Sequence, residues 1–110
     1  MFARHVSIKL NEDSIERFAR VIRAEVVPLL REQTGFLDQI ILLSPERPEA
    51  VVITFWDSRE SEEAFNRLGS PDVLRDLLEV IEGVPDVRHF EVLNQTFPEL
   101  AAKEGAGSSP

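Results

Sequence analysis

The sequence predicts an α+β fold: a four-stranded antiparallel sheet in ferredoxin-like order, with helices on one face. Three observations predict it. Periods of two and of 3.6 follow one another as strand, helix, strand, strand, helices, strand. The connections are short and are punctuated by Gly35, Gly83 and closely spaced prolines. At 110 residues and 43% hydrophobic content the chain can bury roughly two thirds of its unfolded surface in one core, and a second enzymatic domain has no room.

The first strand is "RHVSIKL" (4–10), with Val6, Ile8 and Leu10 on one face and His5, Ser7 and Lys9 on the other. "NEDSIE" supplies a helix start, with Asp13 as N-cap and Glu16 as its capping-box partner. Ile15, Phe18, Ala19, Ile22, Val26, Leu29, Leu30 and Gln33 then follow at helical spacing and make an apolar stripe. Pro28 should bend or divide this helix, and Gly35 should end it in a left-handed cap. Residues 36–56 read as a hairpin, because the prolines of "SPERPE" disfavour central pairing. Asp57 with Glu60, or else Ser58, caps the next helix, whose inner stripe is Ala64, Phe65 and Leu68. Ser70 and Pro71 open a further helix bearing Val73, Leu74, Leu77, Leu78 and Ile81. A final strand spans 86–97, with Arg88, Phe90 and Val92 opposite His89, Glu91 and Leu93. Residues 1–97 are therefore expected to form one domain and 98–110, rich in Gly, Ser and Pro, a flexible tail.

Composition excludes several chemistries. Without cysteine there can be no disulfide, thiolate nucleophile, iron–sulfur cluster or Cys-based zinc site. Two histidines leave little metal chemistry, and neither a metal nor a cofactor is expected. A formal charge of -8 disfavours phosphate backbones and anionic lipid, so nucleic acid is not an expected partner. No apolar run approaches the roughly 20 residues needed to cross a bilayer, and "MFARHVSIKL" lacks signal-peptide character. No membrane partner and a cytoplasmic location are expected.

The two sheet faces set the central problem. If Val6, Ile8 and Leu10 lie beside Val51, Ile53 and Phe55 under the helices, the opposite parity presents His5, Ser7, Val52, Thr54, Trp56 and His89, with Leu37, Ile41 and Leu43 from the hairpin. That surface is too apolar to stay wet, so sheet-to-sheet homodimerisation is expected, with Trp56, Thr54, Val52, Leu37, Ile41 and Leu43 at the interface.

"REQTGFLDQIILLSPERPEAVVITFWDSRESEEAFNRLGSP" (31–71) resembles the antibiotic biosynthesis monooxygenase superfamily of dimeric α/β barrels. The shared pattern is an arginine near the first helix end, a glycine turn, a long hairpin, a strand ending in Trp56 and an acidic helix start including Glu60. The resemblance implies a cofactor-independent oxygenase or related oxidoreductase acting on a small phenol, quinol or polyketide-like aromatic. The haem-degrading branch is disfavoured, since residues 70–82 contain no histidine to bind iron.

Such chemistry needs a base, a group to stabilise an anionic oxygen and an enclosing pocket. The candidate catalytic residues are His5, His89 and Arg31, and the candidate substrate-binding residues are Phe18, Ile22, Phe65, Leu74, Leu77, Leu78 and Phe90. Each also has a plain structural reading: hydrogen-bonded strand histidines, an arginine complementing a helix dipole, and core packing. Trp56 reads first as a strand-end anchor and second as a stacking platform for an aromatic ring. The cluster "RESEE" reads as a solvated helix start. Two other functions fit the same residues: a non-catalytic dimer that binds or senses a small hydrophobic ligand, and a structural interaction module.

Overall fold

The computed structural model describes residues 1–68 and 71–98. Strand β1 (Phe2–Leu10) leads into α1 (Ile15–Val21), a π-helical segment (Ile22–Val26) and α2 (Val27–Arg31). The hairpin β2 (Phe36–Leu43) and β3 (Glu49–Trp56) follows, then α3 (Arg59–Leu68), α4 (Pro71–Leu78) and β4 (Ile81–Glu91). The sheet order is β2-β3-β1-β4 with every neighbouring pair antiparallel, which is the expected ferredoxin-like arrangement. The expected cap Ser70 and all of the expected tail except Pro98 lie outside the described residues.

The first helical run is not divided at Pro28. A proline ring would collide with the carbonyl four residues back, and the wider π turn just before it relieves that crowding within a continuous helix. Asp13 does not cap: the helix starts after Ser14 without a side-chain cap bond. The turn is held instead by Ser14 N–H donating to the Asn11 carbonyl at 2.9 Å, while the Asn11 amide donates to the Glu79 carbonyl at 3.0 Å. At α3 the Ser58 alternative is the one adopted, its Oγ accepting from Ser61 N–H at 3.2 Å. Gly35 does not cap the helix, which ends at Arg31 with Glu32 as its C-cap; its φ of 84 serves the turn that leads into β2.

Strand β4 begins at Ile81, five residues before the sequence pattern suggested. Gly83, at φ 75, and Pro85 lie inside it, and its pairing with β1 is irregular between Ser7 and Lys9. An edge strand tolerates both residues: the glycine allows a bulge, and proline lacks an N–H that an edge need not supply.

Register decides the faces. Phe2 pairs with Trp56, Arg4 with Thr54, Val6 with Val52 and Ile8 with Ala50. Val6, Ile8 and Leu10 therefore pack under the helices together with Val52 and Ala50, against Phe18, Ile22 and Val80. This corrects the expected parity of β3. Val52, Thr54 and Trp56 are on the helix-covered side, while Ile53 and Phe55 are on the open side with Ala3. Ile41 pairs with Val52 and Leu43 with Ala50, so both share the helix side; Leu37 clusters with Ala3 and Phe55 on the open face, as expected. The physical reason is that "VVITFW" is apolar at both parities, so burial pressure alone could not choose between registers one residue apart.

Candidate functional site

Between the sheet and the helices lies a cavity of ≈ 300 Å³, at the lower end of the size range of small-molecule sites. Its helical walls carry Phe18, Ile22, Phe65, Leu74, Leu77 and Leu78, six of the seven substrate-binding candidates. The seventh does not reach it. Phe90 pairs with Ala3 in β4 and meets the His5 ring edge-on with centroids 6.1 Å apart, which puts it on the open face. Leu74 and Leu78 are each more than half exposed, so the cavity is thinly walled along α4.

The cavity is apolar except on its sheet floor, where Arg4, Thr54 and Gln39 line it. These three are direct register partners across β1, β3 and β2, and His89 of β4 pairs with Arg4 on the other side. One cross-strand row therefore holds His89, Arg4, Thr54 and Gln39. A row of Val87, Val6, Val52 and Ile41 lies on one side of it, and Phe2, Trp56 and Phe36 lie on the other.

Trp56 is fully buried beside the cavity rather than in its lining. Its ring packs at 5.6 Å from Phe36 and 5.4 Å from Phe65, between centroids, and its Nε1 donates to Thr54 Oγ1 at 3.1 Å. Expected as a strand-end anchor at the subunit interface, Trp56 is instead buried within one chain, on the helix side of the sheet.

A buried carboxylate organises the Arg4 end. Glu62, on α3, is 1% exposed, and its Oε1 lies 3.1 Å from His89 Nε2 and 3.5 Å from Arg4 Nε. Asn66 Nδ2 donates to the same oxygen at 2.6 Å. Burial pushes the Arg4 guanidinium down from its ordinary pKa, and the opposing charge of Glu62 pushes it back up. Arg4 Nε is buried without a hydrogen bond, which leaves a cationic donor poorly satisfied at the cavity edge. His89 stacks on Phe2 at 5.7 Å between centroids, and its side chain is 41% exposed.

The three catalytic candidates do not converge. His89 joins the Glu62 cluster, and His5 lies on the opposite face of the sheet, where its Nδ1 is buried without a hydrogen bond. Arg31 is exposed at the end of α2 and is not part of the cavity lining. Sequence reasoning missed Arg4, Gln39 and Glu62, and it named Thr54 only for the interface. Glu62 is three residues before the inward-facing Phe65, a helical spacing that could have marked it; Ala64, expected on the inner stripe, is exposed.

A larger hollow of ≈ 520 Å³ lies at the other end of the sheet, lined by Glu49, Glu82 and Asp86 with a single cation, Lys9. Its excess of carboxylates disfavours the anionic oxygen that oxygenation must stabilise. Among the described residues no helix is long and apolar enough to cross a membrane.

Residues 1–71 match the sequence profile of the antibiotic biosynthesis monooxygenase family, well over half of the chain. The chain belongs to this family. No curated protein matches it in sequence. Solved structures share its fold at low identity. One is a Streptomyces coelicolor monooxygenase from the gene ActVA-Orf6, in complex with nanaomycin D, at TM-score 0.74 and 17% identity, covering 88% of this chain and 91% of that one. Another is SnoaB of Streptomyces nogalater, a cofactor-independent oxygenase, at TM-score 0.69 and 18% identity, covering 88% and 96%. A third, from Nitrosomonas europaea, is described as a protein of unknown function, at TM-score 0.71 and 15% identity, covering 88% and 93%. At such identities the likeness concerns the fold.

Proposed function

We propose that this antibiotic biosynthesis monooxygenase family member is a cofactor-independent oxygenase of a compact aromatic phenol, quinol or polyketide-like substrate. The observation that carries the reading is the ≈ 300 Å³ apolar cavity with the cationic Arg4 at its polar floor. A phenol that loses its proton can itself give electrons to dioxygen. For a ring methylene conjugated to that oxygen, carbon–oxygen bond formation yields a hydroperoxide, which loses water to leave a ring carbonyl. One atom of dioxygen ends in the product and the other in water, together with the two methylene hydrogens.

Each residue of the cluster has a part in this chemistry. Arg4 stabilises the ionised substrate oxygen in a site of low dielectric, where such stabilisation is strongest. Glu62 holds the guanidinium in place and contacts His89 on its other side, and the phenolic proton leaves to solvent as the phenolate pairs with Arg4. The helical walls give the ring an apolar surface. His5 and Arg31 have no part in this reading.

The open sheet face is proposed to pair with that of a second copy. It gathers Ala3, Leu37, Phe55, Ile40 and Ile53, with Leu42 and Phe90 about half exposed.

The direct experiment is oxygen uptake by purified metal-free protein with an anthrone or a naphthoquinol. The expected result is one dioxygen consumed per oxygenated product, with turnover reduced at least tenfold by Arg4→Gln. Substrate that binds but is oxidised no faster than with heat-denatured protein would overturn the oxygenase reading in favour of a non-catalytic binding dimer.

A further inference from the structure

The cavity has more polar structure than an anion site alone needs. Arg4, Thr54 and Gln39 are successive cross-strand partners, and all three line the cavity floor. Directly opposed residues of antiparallel strands have Cα atoms about 4.5–5.5 Å apart, so the row runs about 10 Å from Arg4 to Gln39. Everything else facing it from the helices is apolar: Phe18, Ile22, Phe65, Leu74, Leu77 and Leu78.

The three groups differ in what they offer. Arg4 is a cation on the cavity floor whose buried Nε makes no hydrogen bond and faces Glu62 Oε1 at 3.5 Å. Thr54 is 6% exposed; its oxygen accepts from Trp56 Nε1, and its hydroxyl can also donate one hydrogen bond. Gln39 presents a neutral amide that can both donate and accept. A flat apolar body with an oxygen at each end satisfies Arg4 and Gln39 at once, whereas a hydrocarbon with one oxygen leaves the Gln39 end desolvated and unpaired.

We propose that the Arg4–Thr54–Gln39 row is a two-point recognition site for a flat fused-ring ligand bearing an ionised hydroxyl at the Arg4 end and a carbonyl at the Gln39 end. The proposal deepens the oxygenase reading, in that it rests on the same cavity and names what selects the substrate. The ≈ 300 Å³ volume limits the ligand to a compact ring system, and Val6, Val52 and Val87 beside the row give its ring an apolar floor. Thr54 is a positioning donor between the two ends, held in orientation by Trp56.

The test is calorimetric binding of three probes to the full chain without oxygen, so that no turnover enters. The probes are naphthol, acetonaphthone, and hydroxyacetonaphthone with its hydroxyl and ketone on opposite rings. The last is expected to bind at least about tenfold tighter than either single-oxygen probe. Gln39→Leu should weaken both ketone probes about fivefold and leave naphthol within about twofold. Arg4→Gln should weaken both hydroxyl probes about tenfold and leave acetonaphthone within about twofold. If Arg4→Gln does not fold, as judged by circular dichroism, the ketone selectivity of Gln39→Leu decides alone.

Equal affinity of the wild-type protein for all three probes, binding of none at millimolar concentration, or equal loss of naphthol and ketones in Gln39→Leu would each overturn the two-point site. These results are separable from the oxygenase reading. Lost probe selectivity with oxygen uptake intact sinks only the row, and intact selectivity without uptake sinks only the oxygenase.

Discussion

Trp56 donates its indole N–H to Thr54 Oγ1, two residues earlier on the same face of β3, and so fixes a hydroxyl that lines the cavity. The pair ties the aromatic cluster at the end of the sheet to the floor of the site. Trp56→Phe keeps a ring between Phe36 and Phe65 but removes the N–H and leaves a void in a fully buried position. The expected loss is about 1–3 kcal/mol of folding stability by urea denaturation at fixed protein concentration. Because Trp56 is on the helix side, the dimer constant measured by sedimentation should stay within about twofold. Weakened association with unchanged folding stability would return Trp56 to the open face.

The element order was legible because the helices have a clean period, and because Gly35, the prolines of the hairpin connection and the glycine and proline of residues 69–71 punctuate the chain. Most of the cavity wall was legible too, since Phe18, Ile22, Phe65, Leu74, Leu77 and Leu78 mark the inner stripes of amphipathic helices. The floor was not. Seeing that Arg4, Thr54 and Gln39 adjoin needs the pairing register, and "VVITFW" is apolar at both parities. Glu62 was hidden among Glu60 and Glu63 in a run that reads as solvated, and only the phase of α3 turns it inward.

Gly35 has two reasons to be glycine. Its φ is 84, and a Cβ there would run into Ser61 Oγ and Asp57 Oδ1, while its carbonyl accepts from Asp57 N–H at 2.8 Å. Gly35→Ala should therefore cost more than the usual strain of a left-handed alanine, about 2 kcal/mol or above, with lost definition of the α3 start. Hydrogen exchange at Ser61 and Glu62 together with urea denaturation reads both effects. A loss below about 0.5 kcal/mol would mean that the Ser61 and Asp57 side chains simply move aside.

Glu25, in the π segment, shares a hydrogen bond with Asp76 of α4, which raises its pKa above the ordinary carboxylate value; neighbouring Asp72 adds to the rise and Arg75 opposes it. A raised folded pKa means that the native state holds the proton more tightly than the unfolded chain. The stabilisation is complete below the unfolded pKa and is lost as pH rises through the folded one. Replacing the acid by an amide removes the titration. Glu25→Gln should flatten the fall in stability as pH rises through and above the ordinary carboxylate range, relative to wild type. Parallel pH profiles from urea denaturation check this, and a fall of the same slope in both proteins would remove Glu25 from the account.

The last prediction concerns the open sheet face. Ile53 lies there, half-buried, next to Ala3, Leu37 and Phe55, and its β1 register partner His5 has a buried Nδ1 without a hydrogen bond in the single chain. If a second copy covers this surface, a charge at Ile53 would be desolvated in the dimer but hydrated in the monomer, an asymmetry of several kcal/mol for an unpaired ion. Ile53→Glu should therefore weaken dimerisation at least a hundredfold and leave a folded monomer near 12.5 kDa by sedimentation equilibrium. The helix-side cavity is on the other face, so naphthol binding per chain should be retained. A wild-type protein that stays monomeric through the micromolar range, or an Ile53→Glu variant that associates as wild type does, would show that some other surface, or none, carries self-association.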